Sequence, residues 1–248
     1  MKINKIIAVS VFFLTLSMVP FMKLFESNDK TLVSFIETNK DILICIDPGH
    51  QEKGDKTLEE AAPGSSNKKP RVSQGATGVS TKKPEYILNL EASLILKEIL
   101  VQKGYNVIMT RESHDVNISN SERAIFANEN NADFVVRIHA DSLDDSSKTG
   151  ACVLIPSVNN KYTTAIYDLS KKGGEYIGES MKSDGIKVNG IFEREDITGF
   201  NFSTVPVVIV EMGFLSNYSE DNMMSDVSYQ RKIMESISNG LDKFFETN

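Results

Sequence analysis

The sequence predicts an α/β fold: a single layered domain whose central mixed, largely parallel sheet of about six strands is flanked by helices. Three observations carry that prediction. Short apolar runs rich in β-branched residues recur without polar alternation, as in strands covered on both faces. Segments of ten or more residues with helical periodicity separate them, which implies parallel crossovers. At 248 residues, with 40% apolar and 8% aromatic content, the chain is long enough for one sizeable core.

The first strand is residues 42–47, ILICID, which runs into Pro48, Gly49 and His50. Residues 51–84 follow, rich in Gly, Ser, Pro and Lys, and they predict a long irregular loop of functional weight. After Pro84 a helix begins, with Ile87, Leu90 and Leu94 on one stripe and Leu88, Ile95 and Ile99 widening it, until Gly104 stops it. YNVIMT, 105–110, is the next strand. Ser119 and Glu122 form a capping-box pattern that opens a helix through about Asn130. FVVRIH, 134–139, and ACVLIP, 151–156, are further strands, and a helical region from about Thr163 to Lys182 is interrupted by Gly173 and Gly174. VPVVIVE, 205–211, is the last buried strand, and Tyr229, Ile233, Ile237, Leu241 and Phe244 mark a closing helix. No internal repeat is present.

The formal charge of −7 excludes a general electrostatic grip on nucleic acid. At the N-terminus, Lys2 and Lys5 precede seventeen uncharged residues, 6–22, and Lys23 follows. That grammar makes residues 1–25 an export signal or a membrane anchor, and 26–41 a spacer before a domain at 42–248. Without a convincing small-x-small cleavage site the anchor is favoured, which places the domain on the outer face of a membrane or in the wall. Cys45 and Cys152, the only cysteines, lie in apolar runs and read as buried free thiols, with one disulfide as the alternative.

In open α/β sheets ligands bind beyond the carboxyl ends of the strands. Three buried strands deliver polar residues there: 42–47 leads to His50, 134–138 to His139, and 205–210 to Glu211. Two histidines and carboxylates at one sheet edge suggest a zinc site that keeps a position open for water. Glu85, in the first turn of the helix that closes the long loop, is a third ligand candidate, and a carboxylate there also suits the helix dipole. Glu91 is its rival, about 240° round the helix, so only one of the two faces the site. Asp47 is a candidate to orient a ligand histidine, or else a strand-end turn residue. His114 sits in a polar stretch and is set aside.

IDPGH (46–50), EYILNLEASLILKEIL with GYNVIMTR (85–111), SNSERAIFAN (119–128), VVRIHAD (135–141) and VVIVEMGFLSN (207–217) occur in this order. In these pieces the chain resembles the zinc-dependent N-acetylmuramoyl-L-alanine amidases of the amidase_3 family, from about residue 42 to residue 246. The resemblance puts the zinc ligands on His50, Glu85 and His139 and the catalytic glutamate on Glu211. It implies a six-stranded mixed sheet and hydrolysis of the amide between N-acetylmuramic acid and L-alanine in peptidoglycan, with Glu211 passing a proton from water to the departing nitrogen. The chain departs from the family pattern at Gln51-Glu52, where Gly-Gly is usual, in the length of 51–84, and at Arg137, where a small residue is usual. Those departures bear on substrate preference. An anchor with one catalytic domain also resembles the spore-cortex amidases, and the long 51–84 segment suggests gating, or a regulatory protein partner. A zinc peptidase, a peptidoglycan deacetylase and a non-catalytic wall-binding scaffold are the competing readings.

Overall fold

The computed structural model describes residues 40–248, so the expected signal or anchor at 1–25 and nearly all of the 26–41 spacer lie outside the described residues. Among the described residues no helix is long and apolar enough to cross a membrane. The sheet contains β1 (Leu43–Pro48), β4 (Asn106–Met109), β5 (Phe134–Asp141), β6 (Ala151–Pro156), β7 (Val188–Arg194) and β8 (Val207–Phe214). Their order is β4-β1-β5-β8-β6-β7, and every neighbouring pair is parallel except β6 with β8. This is the mixed six-stranded sheet that the sequence predicts.

Side chains alternate across each strand, so the two faces have separate cores. Ile44, Ile46, Val136, Ile138, Val208 and Val210 join one large cluster with α1 (Glu85–Gln102), α3 (Tyr167–Ser183) and α6 (Val227–Glu246). Cys45, Val135, Cys152, Leu154 and Ile209 form a smaller one with Ala127 of α2 (Asn120–Glu129) and Phe200 of the short α4 (Thr198–Asn201). Both cysteines are buried and free. The thinly covered second face carries Arg137, His139 and Glu211, which follow the parity of Val135 and Ile209.

Four expectations need correction. The 51–84 segment is not irregular throughout: β2 (Asp55–Glu60) and β3 (Lys68–Val72) pair as an antiparallel hairpin. A two-stranded ribbon is marginal by itself, and this one is held by distant partners. Arg71, which pairs with Asp55 across the hairpin, also reaches Glu122, Ser121 donates to Glu59, and Asn201 donates to the Ala61 carbonyl. The apolar stripe of α1 is only partly the expected one: Leu88, Leu90 and Ile99 are buried as expected, together with Ala92, Leu96 and Leu100, but Leu94 is 41% exposed, because the inward face includes the polar Glu85 and Asn89. The helix α3 runs through Gly173 and Gly174 without a break. A Cβ at Gly173 would lie 2.4 Å from the Phe134 ring and one at Gly174 2.8 Å from Ile155, so these glycines let helix and sheet approach closely. Finally, β7 and α5 (Tyr218–Ser225) had no signal in the apolar pattern, β7 being a mostly exposed edge strand.

Candidate metal centre and catalytic cleft

Strands β1, β5 and β8 are adjacent and parallel, so their carboxyl ends lie side by side. Register sets His139 beside Glu211 and Asp47 beside Arg137. His50 comes two residues after β1 with φ of 61°, a left-handed conformation that non-glycine residues seldom adopt and that fixes where its ring points. Gly49 before it is required by space, since a Cβ there would fall 2.2 Å from the His139 ring. The turn after β1 therefore has its unusual φ at His50 and not at Gly49.

The segment after the hairpin closes the site. Gly75, at φ 86°, leaves room where a Cβ would lie 2.6 Å from Glu85 Oε2. His50 Nδ1 lies 3.1 Å from the Ser73 carbonyl and 2.9 Å from its hydroxyl. A carbonyl only accepts, so this contact puts the proton on Nδ1 and leaves the Nε2 lone pair free. Glu85 Oε1 stands 3.1 Å from His50 Nε2 and 3.4 Å from His139 Nδ1. Its other oxygen accepts from the Ala76 amide at 2.9 Å, and Asn89, one turn along α1, donates to Oε1 at 3.2 Å.

Electrostatics sort these groups. Burial would raise the Glu85 carboxyl, but the His139 and His50 rings beside it hold it well below the usual carboxylate range. Burial lowers His139 to about 4, against the opposing pull of Glu85, so its imidazole is neutral at physiological pH. Glu211 is pushed well above the ordinary value, first by burial and then by the charges of Glu85 and Asp141. Its Oε2 and the Nε2 of His139 are both shielded and, among the described residues, without a hydrogen-bond partner.

One ligand atom from each of His50, Glu85 and His139 lies within 4.8 Å of the others. The two Glu85 separations are close to the ~3.4 Å edge of a tetrahedron with bonds of ~2.1 Å. Two imidazoles and one carboxylate are thus a donor set that fits a divalent cation. Glu211 and His139 line an adjoining cleft of about 390 Å³ with Arg137, Arg194, Lys69 and Asp196. Glu91, the rival to Glu85, points elsewhere and pairs with Lys83 at 2.6 Å.

Asp47 does not reach a histidine. Its oxygens take Arg123 at 2.7 Å, Arg137 at 2.6 Å and the Thr110 hydroxyl, and Ser73 contacts His50 instead. Gln51 is buried and structural: its Oε1 accepts from the Ile118 amide and Arg123, and its amide donates to the Lys53 carbonyl. Sequence reasoning missed Ser73, Ala76 and Asn89. Only Asn89 had a usable signal, four residues from Glu85 on the same helix face.

The sequence pattern of the family described as N-acetylmuramoyl-L-alanine amidase matches residues 44–243. The probable cell wall amidase LytH of Staphylococcus saprophyticus subsp. saprophyticus is 27% identical over 207 residues, which cover 83% of this chain and 59% of that protein. The chain therefore spans under two thirds of that relative's length. The germination-specific N-acetylmuramoyl-L-alanine amidase of Bacillus subtilis is 24% identical over 188 residues, covering 67% of this chain and 73% of the relative. The crystal structure of the amidase Ami1 from Mycobacterium smegmatis superposes with a TM-score of 0.76 at 22% identity, over 85% of this chain and 99% of that one, and shares the fold. With that pattern running from β1 into α6, the chain belongs to the N-acetylmuramoyl-L-alanine amidase family.

Proposed function

We propose that the chain is a zinc-dependent N-acetylmuramoyl-L-alanine amidase that cleaves the bond between N-acetylmuramic acid and L-alanine in peptidoglycan. His50, Glu85 and His139 hold the metal, and Glu211 is the catalytic acid and base. The observation that carries this reading is the convergence of two imidazoles and a carboxylate beside a second carboxyl without a partner, on the floor of one cleft.

A zinc ion bound there supplies Lewis acidity, which acidifies water and polarises a carbonyl. The chain's own residues do the rest. Ser73 fixes the His50 tautomer, and the Ala76 amide with Asn89 fixes Glu85, so the donors are oriented before a ligand arrives. Glu211, across the register from His139, takes the proton from the attacking water and returns it to the departing alanine nitrogen. Its shielded position keeps that carboxyl basic enough for the first transfer and acidic enough for the second.

The domain at 42–248 acts outside the cytoplasm, carried there by residues 1–25. Wall remodelling is its setting, and the germination-specific relative favours the spore cortex. A regulatory partner would act at the β2–β3 hairpin, because Lys69 and Pro70 of β3 line the cleft. Digestion of purified peptidoglycan tests the activity. New L-alanine amino termini are the expected product, and freed glucosamine amines or internal peptide amines would instead support a deacetylase or a peptidase.

A further inference from the structure

Arg137, the departure from the family pattern beside the second histidine, stands on the cleft floor two residues before His139 and on the same face of β5. It is 4% exposed. Its Nε donates to Asp47 at 2.6 Å, and among the described residues its two terminal nitrogens donate to no protein acceptor. Asp47 does not neutralise it, because the same carboxylate also holds Arg123. Gly199 leaves it space: a Cβ there would lie 2.1 Å from Arg137 Nη1. On the cleft wall, Arg194 and Lys69 share one carboxylate, that of Asp196, at 2.9 Å and 3.9 Å. An acidic chain thus has an excess of cation in the one cleft that holds Glu211.

We infer that Arg137 is a specificity residue, which binds a free carboxylate on the second residue of the stem peptide. The inference rests on the amidase reading. A planar guanidinium with both terminal NH2 groups unused matches the two oxygens of a carboxylate, and a neutral carboxamide offers it one acceptor and a repelled donor. The reach is right as well. Two residues along a strand cover about 6.6 Å, and each residue of an extended peptide spans at most ~3.6 Å. A carboxylate one to two residues beyond an amide held at His139 and Glu211 therefore meets Arg137.

The test uses the zinc-loaded full chain and two synthetic muramyl peptides that differ only in whether the second residue carries a carboxylate or a carboxamide. The carboxylate substrate should have the higher kcat/KM, by about tenfold or more. Arg137→Gln should bring the two within about twofold, mainly through KM, and Arg137→Lys should keep part of the preference. In parallel, calorimetry compares binding of L-alanyl-D-glutamine, whose α-carboxylate is free, and of its α-amide to the wild type and to Arg137→Gln. Equal kcat/KM in the wild type, or a preference that survives in Arg137→Gln, overturns the inference. Such a result would mean that a water in the adjoining void of about 10 Å³ satisfies the guanidinium. If Arg137→Gln does not melt cooperatively, the wild-type ratio and Arg137→Lys decide. Failure of the wild type to cleave either substrate would count against the amidase reading, and the calorimetry would still decide the subsite.

Discussion

Asp47 shows how one buried residue organises the surroundings of the site. Its carboxylate bridges α2 and β5 through Arg123 and Arg137, and burial, which alone would raise it, is outweighed by those two guanidinium groups, so it stays far below the usual range. Asp47→Ala leaves two buried cations without their partner and should destabilise the fold by about 3–5 kcal/mol in chemical denaturation. The pH dependence follows from the sign of the shift. The folded-state value lies below the unfolded one, so the stabilisation is present above the unfolded pKa and is lost as pH falls beneath about 4. The wild type should lose stability there, and Asp47→Ala should lack that part of the acid dependence. His50, His139 and Glu211 were legible in the sequence because each is a polar residue that ends an apolar run. The partners of Asp47 were not, because Arg123 lies 76 positions away and nothing local marks it.

At the scale of elements, α2 is the clearest case of sequence dictating structure. Ser119 accepts from the Glu122 amide and Glu122 accepts from the Ser119 amide, the reciprocal pair that the S-x-x-E pattern predicts. Ser119→Ala should cost about 1 kcal/mol, measured by thermal or denaturant unfolding. Glu122 also holds Arg71, so the same cap ties the hairpin to the second face of the sheet. That hairpin was illegible for a physical reason: its strands bury almost nothing, and their order comes from ion pairs and hydrogen bonds to α2, α4 and the turns around them. Gly173 and Gly174 misled in the opposite sense. Glycine lowers helix propensity by about 1 kcal/mol, but here the close packing against Phe134 and Ile155 outweighs it.

At the scale of the whole molecule, function follows from unequal coverage of the two sheet faces. Among the described residues, three long helices bury one face, and the other is roofed by α2, α4 and the hairpin, so the ends of β5 and β8 open into a cleft. The alternation of strands and helices made this architecture readable, while the exposed edge strand β7 and the cleft wall it supplies through Arg194 needed the structure. The central claim, that three residues on this open edge hold a metal and a fourth works beside it, is tested most directly by zinc content measured together with turnover. After dialysis the wild type should hold about one zinc per chain, His139→Ala should hold none, and Glu211→Ala should keep its zinc and release no stem peptide. Full zinc occupancy in His139→Ala, or wild-type turnover in Glu211→Ala, would contradict the account.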